Sequence, residues 1–265
     1  MKNVVKVFLA VLCVMLLKTK VYYAEELSVE KIIDKANLAA YYMGDDGSAD
    51  VKMIINDSQG RKRTREFRIL RINIKKGGEQ KFYVYFKKPA DVDKMVFMVW
   101  KYMEKDDDRW LYLPALDLVR RVASSDKRSS FIGSHFVYED VSGRSINADR
   151  HELIGTDAGK YKIKCEPKDN KDTEFAYYFV WINKDSFVPV KAEYYNTKNE
   201  LIRVIEALEI NDIQGKPTVI RSIARDLDRG GETIMEFKNV KYDIGLKEDI
   251  FAERYLRKAP VKWIK

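Results

Sequence analysis

The chain is poor in the residues that build metal and nucleophile sites. It contains two histidines and two cysteines among 265 residues. His135 and His151 have no partners at the spacing of a zinc site, which needs several thiolate, imidazole or carboxylate ligands. Ser134, beside His135, lacks the strand–elbow–helix context of an activated serine. We therefore expect no metal, no cofactor and no enzymatic activity.

Proline is also scarce, with 6 residues in the whole chain. No proline-rich or serine-rich linker and no repeat divides the sequence, so we expect a single domain over residues 25–265. Cys13 lies inside an apolar run behind Val11 and Leu12, where lipidation is not expected. If the leader is removed, Cys165 is left alone and no intramolecular disulfide can hold the fold together.

The amino-terminal apolar run is short for a membrane span. It extends from Val7 to Leu17 and follows Lys2 and Lys6, whereas a spanning helix needs about 20 apolar residues. A basic start and a short apolar centre are typical of a secretory signal. We expect a signal peptide over residues 1–24, with the alternative of an uncleaved anchor. The mature protein is then expected in the periplasm, or peripheral to the outer membrane.

Charge of one sign is not in large excess. The formal net charge of +8 falls to +4 if the four lysines of the leader are removed. Acidic and basic residues are mixed along the rest of the chain, which is typical of a solvated surface. This balance excludes the basic footprint of a nucleic-acid-binding protein.

What the sequence has is one helical pattern followed by many strands. Ser28 can cap an amphipathic helix that runs to about Met43. The pattern then alternates with period two, between turns rich in Gly, Asn and Asp. The predicted strands cover residues 49–56, 64–75, 81–87, 95–103, 109–113, 151–155, 161–165, 175–182, 188–195, 201–210, 218–226 and 232–241. Residues 249–256 are predicted to form a last helical turn.

Several of these strands carry large apolar residues on both faces. Such a strand must bury both sides, or else one side faces a cavity. A half-open barrel around an apolar ligand and a β-sandwich with a filled core fit this pattern equally well.

The stretch from Trp110 to Val141 resembles a known family. Its elements are Trp110-Leu111-Tyr112-Leu113-Pro114-Ala115, Arg120-Arg121, Ser124-Ser125, Phe131-Ile132-Gly133-Ser134 and Tyr138-Glu139-Asp140. Together they resemble the signature of the outer-membrane lipoprotein-sorting protein-like family, which is related to the periplasmic carrier LolA. Ile132 stands where the family usually has Met, and Lys94-Met95 stand where relatives continue with Gly-Thr.

The resemblance implies a mainly β fold, a curved antiparallel sheet that forms an incomplete, half-open barrel with an α-helical lid. It also implies a monomeric carrier that binds lipid or lipoprotein acyl chains in an apolar concavity and moves them between the inner and outer membranes. An inner-membrane exporter of the resistance-nodulation-division (RND) type is the implied partner. The alternative is an envelope interaction or sensor module that uses the same sheet without transporting lipid.

We expect two groups of residues to serve such a carrier. The predicted apolar wall consists of Phe82, Val84, Phe86, Phe97, Val99, Trp110 and Tyr112. Ordinary core packing is the alternative role for each of them. Arg120, Arg121 and Arg128 are candidates for contact with anionic headgroups or with a partner, because a guanidinium binds phosphate as a bidentate fork. Their alternative role is ion pairing with Glu139 and Asp140.

Overall fold

The computed structural model describes residues 27–171 and 173–265. Most of the described chain is strand, as the period-two pattern predicts. The strands are β1 (Asp46–Asp57), β2 (Lys62–Asn73), β3 (Gln80–Lys88), β4 (Val96–Lys101), β5 (Asp108–Leu113), β6 (Leu118–Arg121), β7 (Asp149–Asp157), β8 (Lys160–Pro167), β9 (Tyr177–Asn183), β10 (Pro189–Tyr195), β11 (Leu201–Ile213), β12 (Lys216–Asp226) and β13 (Gly231–Tyr242). The α-helices are α1 (Val29–Tyr41), α2 (Tyr138–Ser142), α3 (Arg254–Arg257) and α4 (Val261–Ile264). The predicted signal peptide lies outside the described residues.

All thirteen of these strands form one antiparallel sheet. Their order is β6-β5-β4-β3-β2-β1-β13-β12-β11-β10-β9-β8-β7, so the first and last long strands meet in the middle. The sheet is curved, and it is not closed because β6 and β7 remain as edges. This confirms the predicted fold class. Since β6 and β7 are consecutive in the chain but lie at opposite edges, residues 122–148 must cross from one edge to the other. We call these residues the crossing segment.

The helix α1 lies against one face of the sheet, here called the inner face. Ser28 caps it, and its Oγ accepts a hydrogen bond from the amide of Lys31 at 3.3 Å. Ile32, Ile33 and Ala36 are buried on the sheet side, where they form a cluster with the inner-face residues of the last strands. These partners are Ile163, Cys165 and Ile182. The helix therefore covers the β8–β9 end of the inner face.

The crossing segment covers the other end of the inner face. It inserts Phe131 and Tyr138 against the aromatic residues of β2 to β4. The Phe131 ring lies 5.5 Å from that of Phe97, which in turn lies 5.0 Å from the ring of Tyr138. Tilted and edge-to-face rings at these distances stabilise a packed core beyond their buried area. This end of the inner face is therefore filled.

The opposite, outer face of β2 to β5 is also covered. Residues 244–264, here called the C-terminal segment, pack Phe251 and Leu256 onto the buried side chains of Leu70 and Met98. These strands are apolar on both sides because each side has a cover. This cover was not predicted from the sequence, where the two-faced pattern indicated a cavity or a second sheet.

One buried carboxylate fixes the start of the C-terminal segment. Asp46 accepts hydrogen bonds from the amides of Ile244, Gly245 and Leu246 at 2.7 to 2.9 Å. We expect Asp46→Ala to lower the free energy of unfolding by about 2 kcal/mol, since hydrogen bonds to a charged acceptor are among the stronger ones. Urea unfolding measures this change. Asp46→Asn should lose less, because its amide oxygen still accepts, and equal losses for the two variants would contradict this account.

Candidate functional site

A cavity of about 480 Å³ lies between α1, the crossing segment and the inner face. Its wall is mostly apolar and is contributed by strands from both halves of the sheet. The strand residues in the wall include Ala49, Phe67, Ile69, Phe82, Tyr178, Val180, Ile182, Ile205, Met235 and Phe237. Helix α1 adds Ile33, Ala36 and Ala40, and the crossing segment adds Phe131, Phe136 and Val141. The volume falls within the roughly 300–1,000 Å³ that is usual for sites of small organic ligands.

The helix that covers the cavity is held at its carboxyl end by polar contacts. The side-chain amide of Gln80 donates to the carbonyl of Tyr41 at 2.8 Å, and that of Asn73 donates to Gly44 at 2.9 Å. Arg71 also donates to the carbonyl of Met43. The body of the helix rests on the sheet through apolar side chains instead. Polar contacts therefore fix the carboxyl end of the helix, and apolar packing holds the rest.

A network of buried charges forms one polar part of the cavity wall. Arg128, which lines the cavity, is ion-paired with Glu139 at 3.1 Å and also with Glu174. Arg144 contacts Glu139 at 3.3 Å and Asp149 at 2.8 Å. Glu139 is therefore shared by two arginines, and the network joins the crossing segment to β7 and to the residues before β9.

Ion pairing in this network outweighs the effect of burial. Burial alone would lower the pKa of Arg128, but its hydrogen bonds to Glu174 hold that pKa above the ordinary range. Burial likewise acts to raise the pKa of Glu174, and the bond from Arg128 more than reverses it. Both groups therefore stay charged over the physiological range.

Tyr178, Tyr194 and the buried thiol of Cys165 also line this side of the cavity. Burial, followed by nearby acidic groups, raises the pKa of Tyr178 well above its usual value, and its hydroxyl donates to Asp149 at 2.8 Å. Burial raises the pKa of Tyr194 to about 12. Burial also raises the pKa of the Cys165 thiol to about 12, so this thiol is not poised as a nucleophile.

The predicted wall residues fall into three groups. Phe82 lines the cavity. Val84, Phe86, Phe97 and Val99 lie on the same inner face but are buried among the aromatic residues under the crossing segment. Trp110 and Tyr112 lie on the outer face, where they pack against the C-terminal segment. The four residues of the second group are therefore packed in the core.

The strand register explains why Trp110 and Tyr112 depart from the prediction. Val84 pairs with Phe97, and Phe97 pairs with Leu111, so these three residues share the inner face. Trp110 pairs with Met98 and therefore faces outward. The prediction that these two aromatic residues face the cavity was wrong, because the turn between β4 and β5 sets the register and alternation alone does not reveal it.

The three predicted arginines are also separated. Arg128 is the one of them that lines the cavity, and there it is ion-paired. Arg121 is exposed and ion-paired with Asp108. Arg120 lies beside it on β6, near the hydroxyl of Tyr138. Burial raises the pKa of that hydroxyl, and the charge of Arg120 partly offsets the rise. A role of these arginines in headgroup contact stays a prediction.

The serine and histidine of the crossing segment are each occupied separately. The Ser134 hydroxyl is within 3.2 Å of the carbonyl and the amide of Phe136. The His135 ring nitrogen Nδ1 lies 2.9 Å from the Thr233 hydroxyl. Across residues 27–171 and 173–265, no group of three His, Cys, Asp or Glu side chains is arranged to hold a metal ion.

One buried lysine contacts both the crossing segment and helix α1. Lys101 donates to the carbonyl of Ser142 at 2.8 Å, and its ammonium lies 5.2 Å from the ring of Tyr41. Burial lowers the pKa of Lys101 to about 8. An unfolded lysine titrates near pH 10.4, so between about pH 8 and pH 10 the unfolded chain binds more protons at this position than the folded one.

The stability of the protein should therefore rise with pH across this window through Lys101. We expect the rise to be absent in Lys101→Met, and urea unfolding of both proteins at several pH values measures it. The raised tyrosine pKa values act in the opposite direction at the top of the window, so the quantity to compare is the difference between the two proteins. A constant difference would contradict the assignment.

Known proteins with a similar sequence or fold were found by comparison. A family model described as "Uncharacterized protein" matches residues 78–258. The crystal structure of a DUF1329 family protein from Desulfovibrio piger ATCC 29098 has a TM-score of 0.78 and 29% identity, and the match covers 86% of this chain and 98% of that one. A domain assigned to outer-membrane lipoprotein-sorting proteins, from Vibrio parahaemolyticus, has a TM-score of 0.78 and 26% identity over 87% of this chain and 100% of that one.

The chain belongs to the outer-membrane lipoprotein-sorting protein-like family. A LolA superfamily protein from Nitrosomonas europaea shares the fold with a TM-score of 0.67 and 18% identity, over 86% of this chain and 99% of that one. A search of curated proteins found no match. In this member of the lipoprotein-sorting protein-like family, none of the helices described is both long and apolar enough to cross a bilayer.

The larger part of the wall in this family member was missed from the sequence. Tyr178, Val180 and Ile205 belong to β9 and β11, which carry apolar residues on both faces, so alternation does not mark the side that faces the cavity. The family motif lies between Trp110 and Val141. The wall was therefore predicted on the strands that are close to this motif in the sequence. Because β1 pairs with β13, strands β9 to β12 belong to the same sheet as β1 to β3 and contribute to the wall.

Proposed function

We propose that this protein is a periplasmic, non-enzymatic carrier that shelters acyl chains of a lipid or lipoprotein in the cavity beneath α1. The observation that carries the proposal is the mostly apolar cavity of about 480 Å³, which opens between a helical lid and the inner face of the sheet. Each methylene group transferred from water to such a wall gains about 0.8 kcal/mol. An acyl chain therefore needs no catalytic group to be bound.

The polar network gives the proposed cargo an orientation. Arg128 and Arg144 line the same cavity as the apolar strand residues, so an amphiphile can place its hydrocarbon against the sheet and its polar end near the guanidinium groups. Both arginines are already paired with carboxylates. Contact with a headgroup would therefore add to their existing ion pairs without replacing them.

The family supports the setting of this proposal. The similar structures include a domain assigned to outer-membrane lipoprotein sorting and a LolA superfamily protein. A carrier between the two membranes must receive its cargo from an inner-membrane protein, and we propose an RND-type exporter as that donor. The donor rests on family resemblance alone, whereas acyl-chain binding rests on the cavity.

Native mass spectrometry of the protein purified from its own envelope tests acyl-chain binding. We expect a bound species whose added mass, after extraction, corresponds to an amphiphile with one or more acyl chains. Extraction followed by addition of the same lipid should restore the complex. Recovery of the protein without any apolar ligand, together with failure to take up added lipid, would contradict the carrier and favour a protein-interaction role for the same sheet.

A further inference from the structure

A row of aromatic side chains lies on the outer face of β9 and β10. Tyr177, Phe179 and Trp181 alternate along β9 with the residues that line the cavity, so they face the other way. Tyr195 of β10 stacks on Tyr177 with 5.1 Å between ring centroids and 7° between ring planes. All four side chains are partly exposed. The row is therefore continuous and accessible.

Lysines surround this aromatic row. The ammonium of Lys162 lies 4.4 Å from the ring of Phe179 and 5.1 Å from that of Trp181. The ammonium of Lys164 lies 5.0 Å from the ring of Tyr177, and that of Lys191 lies 5.2 Å from Trp181. We call the aromatic row and its lysines the outer patch.

Most lysines of the outer patch have a carboxylate nearby. Lys164 is ion-paired with Glu166 at 2.6 Å and Lys191 with Glu193 at 2.5 Å. Lys160 and Lys162 point to the same side of β8, and in the described part of the chain neither is ion-paired with a carboxylate. Glu152 and Asp157 of β7 stand opposite Lys164 and Lys160 in the strand register, so Lys162 is the lysine of the patch that faces no carboxylate. It lies adjacent to Phe179 and Trp181.

The two halves of the outer face differ in what covers them. Over β2 to β5 the C-terminal segment buries the apolar side chains. Over β8 to β10, nothing in residues 27–171 or 173–265 plays that part, and the aromatic rings stay partly exposed. Large aromatic residues that stay accessible in a row usually mark a binding surface.

The composition of the outer patch favours a bilayer over a protein partner. The cores of protein–protein interfaces are depleted in lysine. At the interface of a membrane, tyrosine and tryptophan rings lie at the level of the headgroups, and lysines extend toward the phosphates. Each lysine near an anionic leaflet also contributes favourably to binding.

We propose that the outer patch docks the protein on the surface of an anionic lipid bilayer. β9 then separates two contacts with lipid: Tyr178 and Val180 face the cavity, while Phe179 and Trp181 face the bilayer. Docking on the bilayer does not depend on the carrier role, because Phe179, Trp181 and Lys162 do not line the cavity. It would place the cavity one sheet thickness from the membrane surface.

Sedimentation with vesicles tests the proposal on the full chain. We expect binding to vesicles of phosphatidylglycerol and phosphatidylethanolamine, weakened by salt, and little binding to phosphatidylcholine alone. The double variant Lys160→Glu/Lys162→Glu should bind the anionic vesicles at least about tenfold more weakly. The matched control Lys247→Glu/Lys258→Glu changes two exposed lysines of the C-terminal segment by the same charge and should bind as the parent does.

Two further variants separate docking from cargo binding. Trp181→Phe should lose the blue shift of tryptophan fluorescence that anionic vesicles induce in the parent, with an unchanged melting temperature. Ile205→Glu, which alters the cavity wall, should keep vesicle binding.

Equal binding by the two double variants, or equal binding to phosphatidylcholine, would overturn the proposal. The parent protein could instead capture an envelope protein without binding vesicles. If Lys160→Glu/Lys162→Glu then failed to capture that protein, the patch would be assigned to a protein partner.

Discussion

Replacing Ile205 with glutamate should weaken acyl-chain binding about a hundredfold while the sheet stays folded. Ile205 lies on the inner face of β11, lines the cavity and is only partly buried. A carboxylate there puts a charge beside the hydrocarbon, and the loss of three or four methylene contacts at about 0.8 kcal/mol each corresponds to roughly this factor. Titration with a fluorescent fatty acid measures the change in Kd.

Ile54→Glu is the matched control for this variant. Ile54 is also a partly buried isoleucine in a long strand, but it lies on the outer face of β1 and takes no part in the cavity wall. It should bind the fatty acid as the parent does. Equal losses in the two variants would mean that Ile205→Glu acts through the stability of the sheet. No loss in either would contradict the site.

Two substitutions that sequence reasoning would choose are unsuitable for this test. Val84 and Phe97 are both fully buried and lie among the aromatic residues beneath the crossing segment, away from the lining of the cavity. A glutamate at either position would bury a carboxylate without a partner, which costs several kcal/mol. Such variants are expected to unfold, and their loss of binding would carry no information about the wall.

Glu139→Ala should lower the free energy of unfolding by about 3–5 kcal/mol, which is typical when one member of a buried ion pair is removed. Glu139 is almost fully buried, and its carboxylate contacts both Arg128 and Arg144. Its removal leaves two buried guanidinium groups with one carboxylate partner each. Urea unfolding at neutral pH measures the loss.

An exposed ion pair provides the comparison for Glu139. Lys88 and Glu66 are paired at 3.2 Å on the surface of β2 and β3. Glu66→Ala should change the free energy of unfolding by less than about 1 kcal/mol, because exposed pairs are screened by solvent. Similar losses for Glu66→Ala and Glu139→Ala would show that the network around Arg128 contributes no more than a surface pair.

Most strands could be read from the sequence because their alternation is regular and their turns are polar. The strands at residues 201–210 and 232–241 recur as β11 and β13, each extended by a few residues. β6 was missed, since Leu118–Arg121 is short and mostly exposed and shows little alternation. The helix was found with its cap at Ser28, and it ends at Tyr41, close to the predicted Met43.

The choice between a hollow and a filled sheet could not be made from local pattern. Both faces of β3 and β4 are apolar, and the structure gives each face a cover. These covers come from residues 122–148 and 244–264, which are distant in the sequence from the strands they bury. The cavity lies instead where the long strands near the middle of the sheet face α1. The family motif favoured a hollow sheet, but it could not indicate which strands line the cavity.

Photo-crosslinking with a fatty acid that carries a diazirine near its methyl end tests the central claim most directly. We expect crosslinks on peptides that contain cavity residues, such as Val180 and Ile205 on the sheet and Ala36 on α1. Excess unlabelled fatty acid and the Ile205→Glu substitution should both suppress these crosslinks. Crosslinks confined to the outer face, at Phe179 or Trp181, or equally strong in Ile205→Glu, would contradict an acyl chain in the cavity.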